Sequence, residues 1–384
     1  MRSRKPQPPH SPSGASLPSL SLTLPSARRK TRTVSLGPVA VGGDSPVSVQ
    51  SMTKTDTRDF DRTLSEIRAL QVAGCDIVRV AVPDMAAAAT LRQLKLHSPL
   101  PLVADIHFDH RLALAAIEAG VDGLRLNPGN IGPRWKVEEI AKAARDRGVV
   151  IRVGVNAGSL EKDLLARHGS PTPEAMVESA IRQVRILEEL HFDRIKVSLK
   201  AFSLSLTVAA NRLFSRQYDY PLHLGITAAG PTFAGTIRSA IGLGLLLAEG
   251  IGDTIRVSLT ADPVEEVRVG HEVLHSLGLR QRGPTIVSCP SCGRAEIDIP
   301  SLVKEVQEKL QGLQEPLHIA VMGCPVNGPG EARAADVGIA GGKAVGLLFS
   351  RGQIVRKVAA SELADALVEE VSKLGKGERS DALV

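Results

Sequence analysis

Short apolar runs, each closing on polar positions, recur eight times between residues 48 and 260. They are S-V-Q-S-M-T (48–53), I-V-R-V-A-V (77–82), L-V-A-D-I-H-F (102–108), G-L-R-L-N (123–127), V-I-R-V-G-V-N (150–156), I-K-V-S-L-K (195–200), L-H-L-G-I-T (222–227) and I-R-V-S-L-T (255–260). Most intervals between them hold apolar residues at three- and four-residue spacing, as in D-R-T-L-S-E-I-R-A-L-Q-V-A-G, where a glycine closes the segment. Strands alternating with helices pair in parallel through right-handed crossovers. Eight such units in this length fit a closed (β/α)8 TIM-like barrel better than an open sheet. No G-x-G-x-x-G follows the first run, which takes support from a dinucleotide-binding sheet.

The polar residues gather at the C-terminal ends of the runs: Gln50, Ser51, Asp105, His107, Asn127, Asn156, Lys200, Thr227, Ser258 and Thr260. In a barrel these ends form the active-site mouth. Any one of them could be a strand terminator or cap; their repetition on six or seven strands predicts a polar mouth. After L-R-Q-R-G-P (279–284) the pattern changes. A C-x-x-C segment, a helix-like P-S-L-V-K-E-V-Q-E-K-L, the run L-H-I-A-V-M-G-C, two short β-runs (V-G-L-L-F-S and Q-I-V-R-K-V) and a final helix over about 361–374 read as a small α+β domain. The expected domains are a basic Pro/Ser-rich tail over 1–31, read as disordered, a barrel over 32–281 and a cysteine-bearing domain over 282–384.

Composition narrows the function. With 43% hydrophobic and 23% charged residues in 384, the chain can bury a large core. The net charge of +6 belongs mostly to the tail, since no Asp or Glu precedes Asp44. One Trp, two Tyr and seven Phe give little aromatic platform for bases, so no nucleic-acid partner is expected. No stretch of 18 apolar residues predicts a membrane span. The acid-free start is read as a plain bacterial extension rather than an organellar transit peptide, and the expected location is the bacterial cytoplasm.

Four cysteines in this length are no disulfide framework. Cys75, entering a β-run, reads as a small core hydrophobe. Cys289 and Cys292 form C-P-S-C, a spacing shared by zinc, redox and iron–sulfur sites. Structural zinc wants a fourth S or N ligand, and near Cys324 there is only His318. Three cysteines, the last in Cys-Pro, suit a [4Fe–4S] cluster with one iron held by another group. Seven residues beyond Cys324, across P-V-N-G-P-G, stands Glu331. A sharp turn there would return this carboxylate to the same metal, as an exchangeable ligand; otherwise it caps a helix or pairs with a base.

C-P-S-C-G-R together with M-G-C-P-V-N-G-P-G-E-A resembles the bacterial 4-hydroxy-3-methylbut-2-enyl diphosphate synthase family. V-Q-S-M-T-K-T, L-V-A-D-I-H-F-D, L-R-L-N-P-G-N-I-G, R-V-G-V-N-A-G-S-L-E-K-D-L and G-I-G-D-T-I-R-V-S-L-T extend the likeness over nearly the whole body. The resemblance implies a barrel plus a cluster domain, with Cys289, Cys292, Cys324 and Glu331 holding one [4Fe–4S] cluster. It implies reductive ring-opening of 2-C-methyl-D-erythritol 2,4-cyclodiphosphate, with electrons delivered singly by flavodoxin or ferredoxin. It also implies a head-to-tail homodimer whose active site is shared between chains. Arg58, Arg125, Arg152 and Lys200 match basic positions the family uses on the diphosphate. Arg256, Asn156 and Ser258, with Asp105 and His107, complete the expected substrate site.

One departure bears on catalysis. Where the family reads L-H-L-G-[IL]-T-E-A-G, this chain has Ala228 at the position of a candidate catalytic Glu. The expectation is therefore an enzyme, with an impaired or inactive cluster-binding homologue as the alternative.

Overall fold

In the computed structural model, residues 27–313, 315–324 and 328–381 are described. The chain divides into two compact units, residues 1–269 and 270–384.

All eight predicted strands are present in the first unit, as β3 to β10 of the chain. A short antiparallel hairpin precedes them, β1 (Val34–Leu36) with β2 (Val39–Val41). The barrel strands are β3 (Ser48–Met52), β4 (Ile77–Ala81), β5 (Leu102–Asp105), β6 (Gly123–Arg125), β7 (Val150–Asn156), β8 (Ile195–Lys200), β9 (His223–Leu224) and β10 (Thr254–Ile255). They pair in parallel in the order β8-β7-β6-β5-β4-β3-β10-β9, and a bridge between Val197 and Leu222 joins the two ends. The sheet thus closes on itself with helices between successive strands, as the alternation predicted.

The hairpin was not foreseen. Val34, Leu36 and Val41 pack with Ile77, Val103 and Val150, residues from the early part of three barrel strands. The barrel is plugged there by apolar side chains and open where its strands end. The body also takes in residues assigned to the tail. Arg28 forms an ion pair with buried Asp253 at 2.8 Å, and Arg29 donates to the carbonyls of Tyr218 and Tyr220. The remainder of the disordered-tail expectation, residues 1–26, lies outside the described residues.

Cys75 is buried, and desolvation pushes its thiol up to about 12, as suits an inert core side chain.

In the second unit a five-stranded sheet runs β11 (Thr285–Ser288), β12 (His318–Met322), β13 (Val337–Ala340), β14 (Val345–Ser350), β15 (Gln353–Ala359), neighbouring in that order. The first three strands are parallel and the last two antiparallel. The helices Ile299–Lys309 and Leu363–Asp381 supply Val306, Leu363, Leu367 and Val371 to the core over this sheet. β13 had not been expected: V-G-I-A is too short to show an alternation.

Candidate functional site

The pleat of a strand sends alternate side chains to one face. On the barrel strands that inner face carries charge. Asp105, Arg125 and Arg152 stand opposite one another in register across β5, β6 and β7. With Arg79, His107, Asn156, Ser198, Lys200, Thr227, Ala228, Arg256 and Ser258 they line one cavity of about 320 Å³ at the strands' C-terminal ends. Five of these residues are basic and one is acidic.

Each guanidinium is held. Arg125 Nη2 donates to the Gly154 carbonyl (3.2 Å) and Nη1 meets His107 Nε2 (2.9 Å). Arg152 Nη1 donates to Ser198 Oγ (3.2 Å). Arg256 lies 3.6 Å from the buried carboxylate of Glu266. Arg79 donates through Nε and Nη2 to the Met52 thioether (3.1 and 2.9 Å) and lies 3.9 Å from Asp105. Two glycines make the room. A Cβ on Gly154 would come within 2.8 Å of Arg125 Nε, and one on Gly225 within 2.7 Å of Lys200 Nζ.

Burial alone would raise the Asp105 carboxyl, but its hydrogen bond with His107 and the guanidiniums of Arg79, Arg125 and Arg152 outweigh it and hold it ionised. On Lys200 desolvation and the surrounding guanidiniums act together, drawing it well below the ordinary lysine value. A cavity with this surplus of fixed donors suits a multiply charged anion, and Arg geometry suits phosphate oxygens.

Eight of the nine expected substrate residues therefore meet in one place. Arg58 does not. It is exposed, with its guanidinium taken by Asp56 (2.6 Å) and Asp84 (3.4 Å). Arg79 was missed, although it carries the same signal as Arg125 and Arg152, a guanidinium inside an apolar central strand. Ala228 lines the cavity as expected, with a left-handed backbone (φ 52°) that costs a non-glycine residue about 1–2 kcal/mol.

The second unit brings its thiols to one end of its sheet. β11 and β12 are parallel neighbours with Ser288 opposite Val321, so Cys289 and Cys324 both follow strand ends at the same edge. Cys289 N–H donates to the Val321 carbonyl (3.2 Å), and Glu296 N–H to the Gly323 carbonyl (2.8 Å), which ties the C-x-x-C loop to the Cys324 loop. Cys292 is exposed, and hydrogen bonds from Arg294 lower its thiol, favouring thiolate. No disulfide joins the four cysteines.

Gly328, Pro329 and Gly330 do not form the turn expected from their residue types. Residues 325–327 lie outside the described residues, and Gly328 opens a helix, Gly328–Ala334, with exposed Glu331 in its first turn. The chain nevertheless comes back to the sheet, since a Cβ on Gly328 would lie 3.1 Å from Met322 Cβ and 3.4 Å from Ala340 Cβ. Among the described residues no three Cys, His, Asp or Glu side chains converge closely enough to hold a metal ion. The donor chemistry still fits iron–sulfur: three thiols outside any disulfide follow adjacent strand ends, one of them favoured as thiolate.

A parallel barrel with a cationic mouth, followed by a thiol-bearing α/β unit, defines the class of protein. The model of the GcpE TIM-barrel domain matches residues 31–271, and that of the GcpE protein C-terminal domain residues 285–373. The chain is 63% identical to the 4-hydroxy-3-methylbut-2-en-1-yl diphosphate synthase (flavodoxin) of Geobacter sulfurreducens, over 90% of this chain and 98% of the relative. It is 57% identical to that of Thermodesulfovibrio yellowstonii, over 90% and 99%. The chain belongs to the 4-hydroxy-3-methylbut-2-en-1-yl diphosphate synthase family.

Proposed function

We propose that the chain catalyses the reductive ring-opening and dehydration of 2-C-methyl-D-erythritol 2,4-cyclodiphosphate to 4-hydroxy-3-methylbut-2-enyl diphosphate. The observation that carries this reading is the preformed cationic mouth of a barrel whose family acts on a diphosphate. Arg79, Arg125, Arg152, Lys200 and Arg256 bind the diphosphate; Asn156, Ser198 and Ser258 supply neutral donors around it. Asp105 and His107 hold Arg125 in place, Asp105 Oδ1 lying 3.6 Å from Arg125 Nη1 and 3.5 Å from His107 Nε2. Cys289, Cys292, Cys324 and Glu331 would hold one [4Fe–4S] cluster. When bound, that cluster supplies single electrons and an iron that can take a substrate oxygen, because carboxylate is a weaker partner for it than thiolate. The relatives are named for flavodoxin, and flavodoxin is the donor assigned here.

The alternative of an inactive homologue has no support. The relatives over nine-tenths of the chain are named as synthases, and Arg79, Arg125, Arg152, Lys200 and Arg256 all line the cavity. Among the described residues no helix is long and apolar enough to cross a membrane. Cysteines that form no disulfide, together with bacterial relatives, support a cytoplasmic location.

A homodimer with a shared site is part of the same reading. The helix Thr232–Ala248 supports it: Phe233, Ile237, Ile241 and Leu245 form an exposed apolar stripe at four-residue spacing.

The decisive assay is anaerobic. Full-length protein with its cluster, reduced flavodoxin and the cyclic diphosphate should give the linear product by mass spectrometry. Mixing a Cys289→Ser chain with an Arg152→Ala chain should restore part of the activity if sites are shared. Cluster-loaded protein that leaves the substrate untouched contradicts the assignment, and mixtures that stay inactive contradict the sharing.

A further inference from the structure

Ring-opening with loss of water needs an acid. Two electrons break a C–O bond, ring opening frees one phosphate oxygen as an anion, and the departing hydroxyl must gain one proton to leave as water. The cavity offers few sources. Asp105, the only carboxylate in its lining, is ionised among guanidiniums. His107 is engaged by Arg125 (2.9 Å) and Asp105 (3.5 Å). Position 228 is alanine.

Lys200 is different. It ends β8, crosses to β9 over Gly225 and opens on the cavity. Among the described residues its Nζ forms no hydrogen bond or ion pair, whereas the ammonium of Lys95 has Asp122 at 2.5 Å and that of Lys54 has the Leu259 carbonyl at 3.0 Å. The charged groups facing it are Arg79 on β4, Asp105 on β5, Arg125 on β6, Arg152 on β7 and Arg256 just after β10, with Lys196 on its own strand and His223 on β9. One fixed carboxylate stands against four guanidiniums. An amine so placed is protonated less readily than an ordinary lysine, because burial and the guanidiniums of Arg152, Arg256, Arg79 and Arg125 disfavour its charge. A dianion entering the cavity reverses that balance and draws a proton onto it.

We propose that Lys200 is the acid of this site: uncharged in the empty cavity, it takes a proton when the cyclic diphosphate binds and passes it to the hydroxyl oxygen that leaves as water. Nζ then returns to the free amine. The proton comes from solvent on binding, and the electrons come from flavodoxin. This rests on the assignment above and adds to it a proton carried in by substrate binding.

Calorimetry tests it on oxidised, cluster-loaded protein without donor, so that substrate binds and does not turn over. The diester-like oxygens of the cyclic diphosphate do not titrate near neutrality, so binding heats measured in buffers of different ionisation enthalpy count protons taken up by the protein. Wild type should take up about one proton per site at pH 8. Lys200→Arg keeps a charge but releases no proton, and Lys200→Met has neither; uptake should vanish in both. With Lys200→Arg, kcat should fall at least tenfold while KM stays within about threefold. Lys196→Met, which removes the buried amine beneath, should leave the uptake intact. Binding with uptake unchanged in both Lys200 variants, uptake lost with Lys196→Met instead, or a wild-type kcat in Lys200→Arg would overturn the proposal. A cyclic diphosphate that does not bind at all would instead overturn the assignment of the substrate.

Discussion

The barrel mouth and the cysteine-bearing unit build their sites in opposite ways. In the mouth, each functional group is set by a strand ladder. Asp105, Arg125 and Arg152 are neighbours because their strands are in register, and each guanidinium is already anchored by a carbonyl, hydroxyl, thioether or carboxylate. In the second unit the sheet fixes only the approach. Cys289 and Cys324 follow strand ends, but Cys292 and Glu331 stand on exposed segments, and no three donors among the described residues meet at one point. An anion site can be assembled from fixed cations before its ligand arrives. A metal site of loop thiolates is completed by the metal, whose binding energy is also folding energy for those loops.

Substitutions can break that contrast. The largest effect is expected in the second unit. Cys→Ser at Cys289, Cys292 or Cys324 should abolish the cluster and with it turnover, measured as iron, sulfide and absorption of anaerobically purified protein. Tightly held zinc without sulfide would replace the cluster assignment. Smaller, graded losses are expected in the barrel. Arg79→Ala, Arg125→Ala and Arg152→Ala should each weaken binding of the cyclic diphosphate by about 1–3 kcal/mol, the range for charge-assisted hydrogen bonds. Arg58→Ala, whose side chain is held by two aspartates away from the cavity, should change it by less than about 0.5 kcal/mol. Equal losses at Arg58 and Arg79 would mean that the cavity has been drawn around the wrong cations.

The smallest effect concerns Ala228. A positioned acid or base contributes typically 10²–10⁴-fold to rate. With Lys200 supplying the proton, Ala228→Glu should change kcat by less than about tenfold and leave cluster content unchanged. A hundredfold gain would show that the missing carboxylate limits this chain after all.

Most of the barrel was legible because an apolar run ending in polar residues is written locally and eight repeats leave one closed architecture. Arg125 and Arg152 were legible for the same reason, since a guanidinium inside a buried strand needs a polar mouth to face. Arg79 bears that mark too, in a run that ends without a polar residue. Other features depend on distant partners. Arg28 shows its role only beside Asp253, and the β1–β2 hairpin only against Ile77, Val103 and Val150. N-G-P-G has the composition of a turn, yet Gly328, Pro329 and Gly330 start a helix, because proline is tolerated in a first helical turn and small residues let the chain pack on Met322. The thiol spacing named a class of metal, and the carboxylate partner could not be read from seven residues of separation.

The central claim is that the diphosphate site is complete in the barrel before the cluster is present. Calorimetry of cyclic diphosphate binding to the full chain, before and after anaerobic removal of the cluster, addresses it directly. Binding that persists within about tenfold of the loaded protein, and is lost in Arg125→Ala/Arg152→Ala of either form, is the predicted result. Binding that disappears with the cluster while surviving the loss of both arginines would contradict it.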